Sequence, residues 1–184
     1  MTVVTSANRL LPAGLLALAC AACSPTLDWR EVRCGSPAVV ALFPCKPVAQ
    51  ERALSLAGQS WQATLRACDA QGMTFAVLSL AQPQPTDPKQ PDTPPGPVQV
   101  QALQESAAQR WGPVVEAVGA AGEVKLPAFT SSRWSLHRRQ LEDGRTIESQ
   151  ALFVAHGPQL LQISVSGPRL EATALESFFG GLRW

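Results

Sequence analysis

Tyrosine is absent from the 184 residues, histidine and methionine occur twice each, and charged side chains make up only 16% of the chain. Each shortage excludes something. The two histidines, His137 and His156, form no HExxH pair, and there is no GxSxG elbow, P-loop or paired acidic motif. The common routes to hydrolysis, phosphoryl transfer and metal chemistry therefore have no visible carrier, and neither an enzyme nor a cofactor is expected. Fifteen basic against fourteen acidic residues leave a net charge of +1, too little for the positive field of a nucleic-acid binder. Also missing is an apolar run near the ~20 residues that carry a helix through a bilayer. An apolar fraction of 46% nevertheless excludes bulk disorder.

What is present begins with an address. One basic residue, Arg9, precedes the uncharged run LLPAGLLALA from Leu10 to Ala19, and a short basic start before about a dozen apolar residues is the layout of a secretory signal peptide. Two cysteines follow three apart, Cys20 and Cys23, in LALACAACSPT. A redox CxxC belongs beside a βαβ pattern, and a zinc site needs a second ligand pair downstream; the sequence offers neither. Apolar residues, small residues and then a cysteine instead make a segment that resembles a bacterial lipoprotein signal, in which the cysteine thiol takes the lipid. The resemblance implies a signal over residues 1–22 and lipidation at Cys23, with Cys20 as the alternative register. Cys23 is preferred because the polar, turn-forming SPT follows it, whereas alanines follow Cys20. The protein is then expected in the cell envelope, facing the periplasm. Ser24, in place of the aspartate that commonly retains lipoproteins in the inner membrane, implies the outer membrane.

About 160 residues remain after the signal, the size of one domain with one core. Within this domain, residues 23–184, seven of the sixteen residues from 82 to 97 (QPQPTDPKQPDTPPGP) are proline. Such a stretch joins neither a helix nor a central strand and reads as a solvated spacer inserted between two elements. Before it, AVVALFPCKP reads as a buried strand entering a proline turn. Trp61, Ala63, Leu65 and Ala67 then alternate with polar residues, and a second apolar run from Met73 to Leu80 follows the DAQG turn, which predicts a hairpin. After the spacer, Val100, Leu103, Ala107 and Trp111 share one face of a helix starting behind Pro97 and ending at Gly112. Residues 114–126 carry no clear period and read as a connector. Three strands follow, SSRWSLHRRQL, TIESQALFVA and QLLQISVSG, with Asp143-Gly144 as the strongest hairpin signal. Leu175, Phe178, Phe179 and Leu182 form the stripe of a closing helix stopped by Gly180-Gly181. The expectation is α+β: an antiparallel sheet flanked by helices.

The order LFPCKP, hairpin, mid-chain helix, DGRTIESQALFVAHGPQLLQISVSGP and ALESFFGGLRW resembles small proteobacterial exported proteins with a PsbP-like α/β/α sandwich. It covers roughly residues 27 to 184 apart from the proline stretch, and it rests on core and turn residues. The resemblance implies a fold and, from what is understood of that fold class, an accessory role toward other proteins. It supplies no active-site pattern.

With Cys23 lipidated, Cys34, Cys45 and Cys68 remain, and an exported chain meets oxidising conditions. Cys45 follows the first core strand and Cys68 ends the next long one, so a Cys45–Cys68 bridge is expected and Cys34 is left over. If Cys20 takes the lipid instead, Cys23 and Cys34 become an alternative pair. His137 and His156 are expected at the surface. Arg133, His137, Arg139 and Arg145 are candidates for one exposed basic face, a dock for an acidic protein or an anionic envelope glycolipid. Two functions stand open: a lipid-anchored interaction module, or a small-ligand binding protein with a pocket between sheet and helix.

Overall fold

The computed structural model describes residues 27–82, 94–116 and 131–184. Cys20, Cys23 and the signal segment, residues 83–93 of the proline stretch and residues 117–130 lie outside the described residues. The strands are β1 (Arg30–Cys34), β2 (Val39–Phe43), β3 (Val48–Leu56), β4 (Gln59–Ala70), β5 (Met73–Ala81), β6 (Val114–Glu116), β7 (Ser131–Gln140), β8 (Thr146–His156) and β9 (Gln159–Gly167). The helices are α1 (Pro97–Trp111) and α2 (Ala172–Gly180).

Seven strands form one antiparallel sheet in the order β3-β4-β5-β9-β8-β7-β6. Its centre is buried on both faces, which explains the near-continuous apolar runs of β8 and β9. On one face, Val100, Leu103 and Ala107 of α1 close against Trp61, Leu80, Phe153 and Leu160. On the other lie α2 and the separate β1–β2 hairpin, where Phe178 meets Phe43 and Phe75 edge-on, with ring centroids 5.5 and 5.3 Å apart. The sheet is thus the middle of three layers, an α+β arrangement as the sequence predicted. Val40 exchanges two backbone hydrogen bonds with Arg183, which ties the outer layer to the last residues of the chain.

The α1 stripe, the three-strand meander β7–β8–β9 and the α2 stripe follow the sequence expectation, and both Phe178 and Phe179 are buried. Four features differ. Within the expected connector over residues 114–126, Val114–Glu116 form the short edge strand β6, paired with β7. The predicted first core strand, β2, is not in the main sheet. It pairs with β1 and crosses the sheet's face, because its inward residues Val39, Ala41 and Phe43 have their partners on β5, β8, β9 and α2. The predicted hairpin is the second half of a meander that begins with β3, a strand without signal because only Leu56, at its end, is buried. The end of the proline stretch belongs to α1: Pro95 is buried, the Gly96 amide donates to Gln99 Oε1 at 3.0 Å, and Pro97 starts the helix. At the other end of α1 only glycine fits. Gly112 has φ +88°, and a Cβ there would lie 2.6 Å from the Arg138 carbonyl oxygen.

Candidate functional site

The end of α1 rests on β7, and this contact decides the fate of the predicted basic face. His137 is fully buried. Its ring meets Trp111 edge-on at 5.7 Å, its Nδ1 lies 3.0 Å from the Gly112 carbonyl oxygen and its Nε2 lies 2.8 Å from Ser135 Oγ. A carbonyl only accepts, so Nδ1 carries the hydrogen and Nε2 accepts from the serine hydroxyl. A serine beside a histidine whose far nitrogen is anchored has the form of a nucleophile and its base. Both residues are shut inside the protein, so the pair acts as a satisfied polar link between α1 and β7. Ser149, directly opposite His137 on β8, is also buried, and its hydroxyl has no hydrogen-bond partner among the described residues.

The expected surface position of His137 is therefore corrected: its strand parity is as predicted, but α1 covers that face. The arginines whose side chains are described are engaged within the chain. Arg139 Nη1 donates to the Arg110 carbonyl at 2.8 Å, capping the end of α1. Arg145 pairs with Asp143 inside the Asp-Gly turn at 2.7 Å, and Arg138 pairs with Glu148 at 2.7 Å. Arg133 has its backbone on β7, but its side chain lies outside the described residues. His156 is half-buried at the end of β8, edge-on to Trp184 at 5.0 Å, and not an exposed turn residue.

The disulfide is as predicted. Cys45 and Cys68 are bonded, with Cα atoms 6.0 Å apart, although the bridge joins the outer hairpin's exit to the sheet and not two strands of one sheet. Cys34 is free and buried. Burial pushes its thiol pKa up to about 11 against the opposing charge of Arg66, which makes it an inert core thiol.

The open surface lies around the disulfide, where α1 does not reach. A groove of about 500 Å³ is lined by the apolar Val48, Leu65 and Ala67 and by the polar Lys46, Gln50 and Asp69. A second, of about 290 Å³, adjoins it through Cys45, Lys46 and Asp69 and reaches Asp28 and Arg30, which pair with each other. Asp69 accepts from the Thr74 hydroxyl at 2.6 Å. The walls mix both signs, and among the described residues no three His, Cys, Asp or Glu side chains converge to hold a metal.

Beside the first groove runs β3, the outer strand of the sheet. Its side chains from Val48 to Ala53 are exposed on both faces, and among the described residues nothing pairs with its outer edge. The opposite edge strand, β6, is only three residues long. Ala57 (φ 51°) and Gly58 (φ 75°) make the two-residue turn between β3 and β4, and in such hairpins the flanking residues, here Leu56 and Gln59, exchange both hydrogen bonds. Because the pairing alternates, Ala49, Glu51, Ala53 and Ser55 turn their backbone N–H and C=O groups outward. The one sequence signal for this strand is the small-residue turn Ala57-Gly58.

Among the described residues, fold and surface together define a class: an α+β sandwich with a buried core, a Cys45–Cys68 disulfide and a long open sheet edge along β3. Comparison with protein-family models, curated proteins and solved structures finds no match.

Proposed function

We propose that the protein is a lipid-anchored envelope protein with a PsbP-like sandwich that docks on another envelope component and does no chemistry of its own. The observation that carries this reading is the open end of the sheet, where a nine-residue edge strand lies beside a groove of about 500 Å³. The fate of the reactive groups supports it. His137 and Ser135 are sealed, Cys34 is inert, and Arg138, Arg139 and Arg145 are engaged with partners inside the chain. The space between α1 and the sheet, where a small ligand was the alternative expectation, is filled by Val100, Leu103, Ala107 and Trp61, all nearly inaccessible. Docking is therefore preferred over ligand storage.

The test is affinity capture of the intact protein from detergent extracts of the envelope, with Cys23→Ser as control. The expected result is one or a few components retained in stoichiometric amounts, with recovery falling for the unanchored variant. An unmodified chain that retains nothing would overturn both the anchor and the docking role.

A further inference from the structure

We propose that β3 takes up an extended segment of a partner protein as an additional antiparallel strand. The inference rests on the docking role and names the surface that performs it. The chemistry of the edge selects the ligand: Ala49, Glu51, Ala53 and Ser55 present an alternating row of amide donors and carbonyl acceptors, which only another polypeptide backbone in extended form can match along its length. Every ladder of the sheet is antiparallel, and an antiparallel addition continues that pattern.

Side chains restrict the partner further. Glu51 and Arg52 are exposed, point to opposite faces, and have no ion-pair partner among the described residues. A well-matched strand carries an acidic residue opposite Arg52 and, next in its sequence, a basic one opposite Glu51. Val48 and Arg52 share the groove face, since their partners on β4 are Ala67 and Ala63, so an apolar residue belongs opposite Val48, over the groove. The same charges disfavour a second copy of this chain. Antiparallel pairing about a two-fold axis sets residues of like parity opposite each other. Full overlap of β3 with itself therefore puts Arg52 against Arg52, and the next register toward Val48 puts Glu51 against Glu51.

The experiment uses the full chain and a displayed library of random nine-residue peptides. Amide exchange is read by NMR before and after addition of the selected peptides. In the free protein the amides of Ala49, Glu51, Ala53 and Ser55 are expected to exchange rapidly, and bound peptide slows them about tenfold or more. Selected peptides carry the adjacent acidic and basic residues, and the Glu51→Lys, Arg52→Glu double variant selects the reverse order. Ala53→Pro removes one outward amide without touching the β3–β4 ladder and lowers peptide affinity about tenfold; Ala49→Pro is the second such variant should the first not fold. Several outcomes overturn the proposal: edge amides already protected in a monomer, the same protection in a sedimenting dimer, no selected peptide, or peptides indifferent to the proline variants. A partner captured from the envelope equally well by Ala53→Pro rejects the edge and leaves the docking role standing. Capture of nothing by either form rejects the role itself.

Discussion

At the scale of single residues, the chemistry-bearing side chains are mostly used to hold the fold, and three predictions follow from how each is held. Burial raises the Cys34 pKa from 9.0 to about 11. Above pH 9 the unfolded chain loses this proton while the folded one keeps it, so the unfolded state binds fewer protons and stability falls as pH rises. The contribution is complete below pH 9 and lost by about pH 11, a decline of up to about 2–3 kcal/mol. Chemical denaturation across this window should show it in the native chain and not in Cys34→Ala. The Cys45–Cys68 bridge spans 23 positions, and replacing both cysteines by alanine should cost about 3 kcal/mol by loop entropy, as read in a urea melt. His137 and Ser149 face each other with opposite accounts. His137→Ala leaves the Ser135 hydroxyl and the Gly112 carbonyl without their shared partner and should cost about 3 kcal/mol, whereas Ser149→Ala removes a buried hydroxyl without a partner and should be neutral or stabilising by about 1 kcal/mol. A thermal melt of both variants checks the sign.

At the scale of elements, what was legible had a complete periodic face or a turn with one geometry. Val100, Leu103 and Ala107 gave α1, Phe178 and Phe179 gave α2, and Asp143-Gly144 placed the β7–β8 turn. β1 and β3 escaped because exposure on nearly every residue of β3 leaves no alternation, and because the five residues of β1 contribute little beyond Cys34. His137 was misplaced for a related reason: Leu136 and His137 do point to opposite faces, but in a sheet covered on both sides neither parity means solvent. The open edge was illegible for the same reason as its strand, since accessibility belongs to the assembled sheet. Elements also differ in what their loss costs. Phe178 contacts Phe43, Phe75 and Phe179, and Phe178→Ala should lower stability by about 3–5 kcal/mol. Removing residues 84–92, a stretch with almost no apolar surface and short of the buried Pro95, should change it by only a few tenths of a kcal/mol, because loop entropy varies slowly with length. Parallel denaturant melts decide whether the helix or the spacer holds the fold.

At the scale of the whole molecule, no helix among the described residues is long and apolar enough to cross a membrane, and the proposed attachment is tested at the lipid. Intact-mass analysis of the mature chain is expected to give an N-terminus at Cys23 with added acyl mass, partitioning into detergent, and Cys23→Ser should be recovered without lipid in the aqueous phase. The clasp between Val40 and Arg183 has a different consequence. The layer built by β1 and β2 packs on the sheet and also on Phe178 and Leu182, which lie at nearly the opposite end of the described chain. A polypeptide emerging N-terminus first cannot complete that layer until these residues have arrived, and a single domain folds as a unit. On the proposed route to the envelope, a layer that closes only once Phe178 and Leu182 are present keeps β1 and β2 incompletely packed until synthesis has passed them.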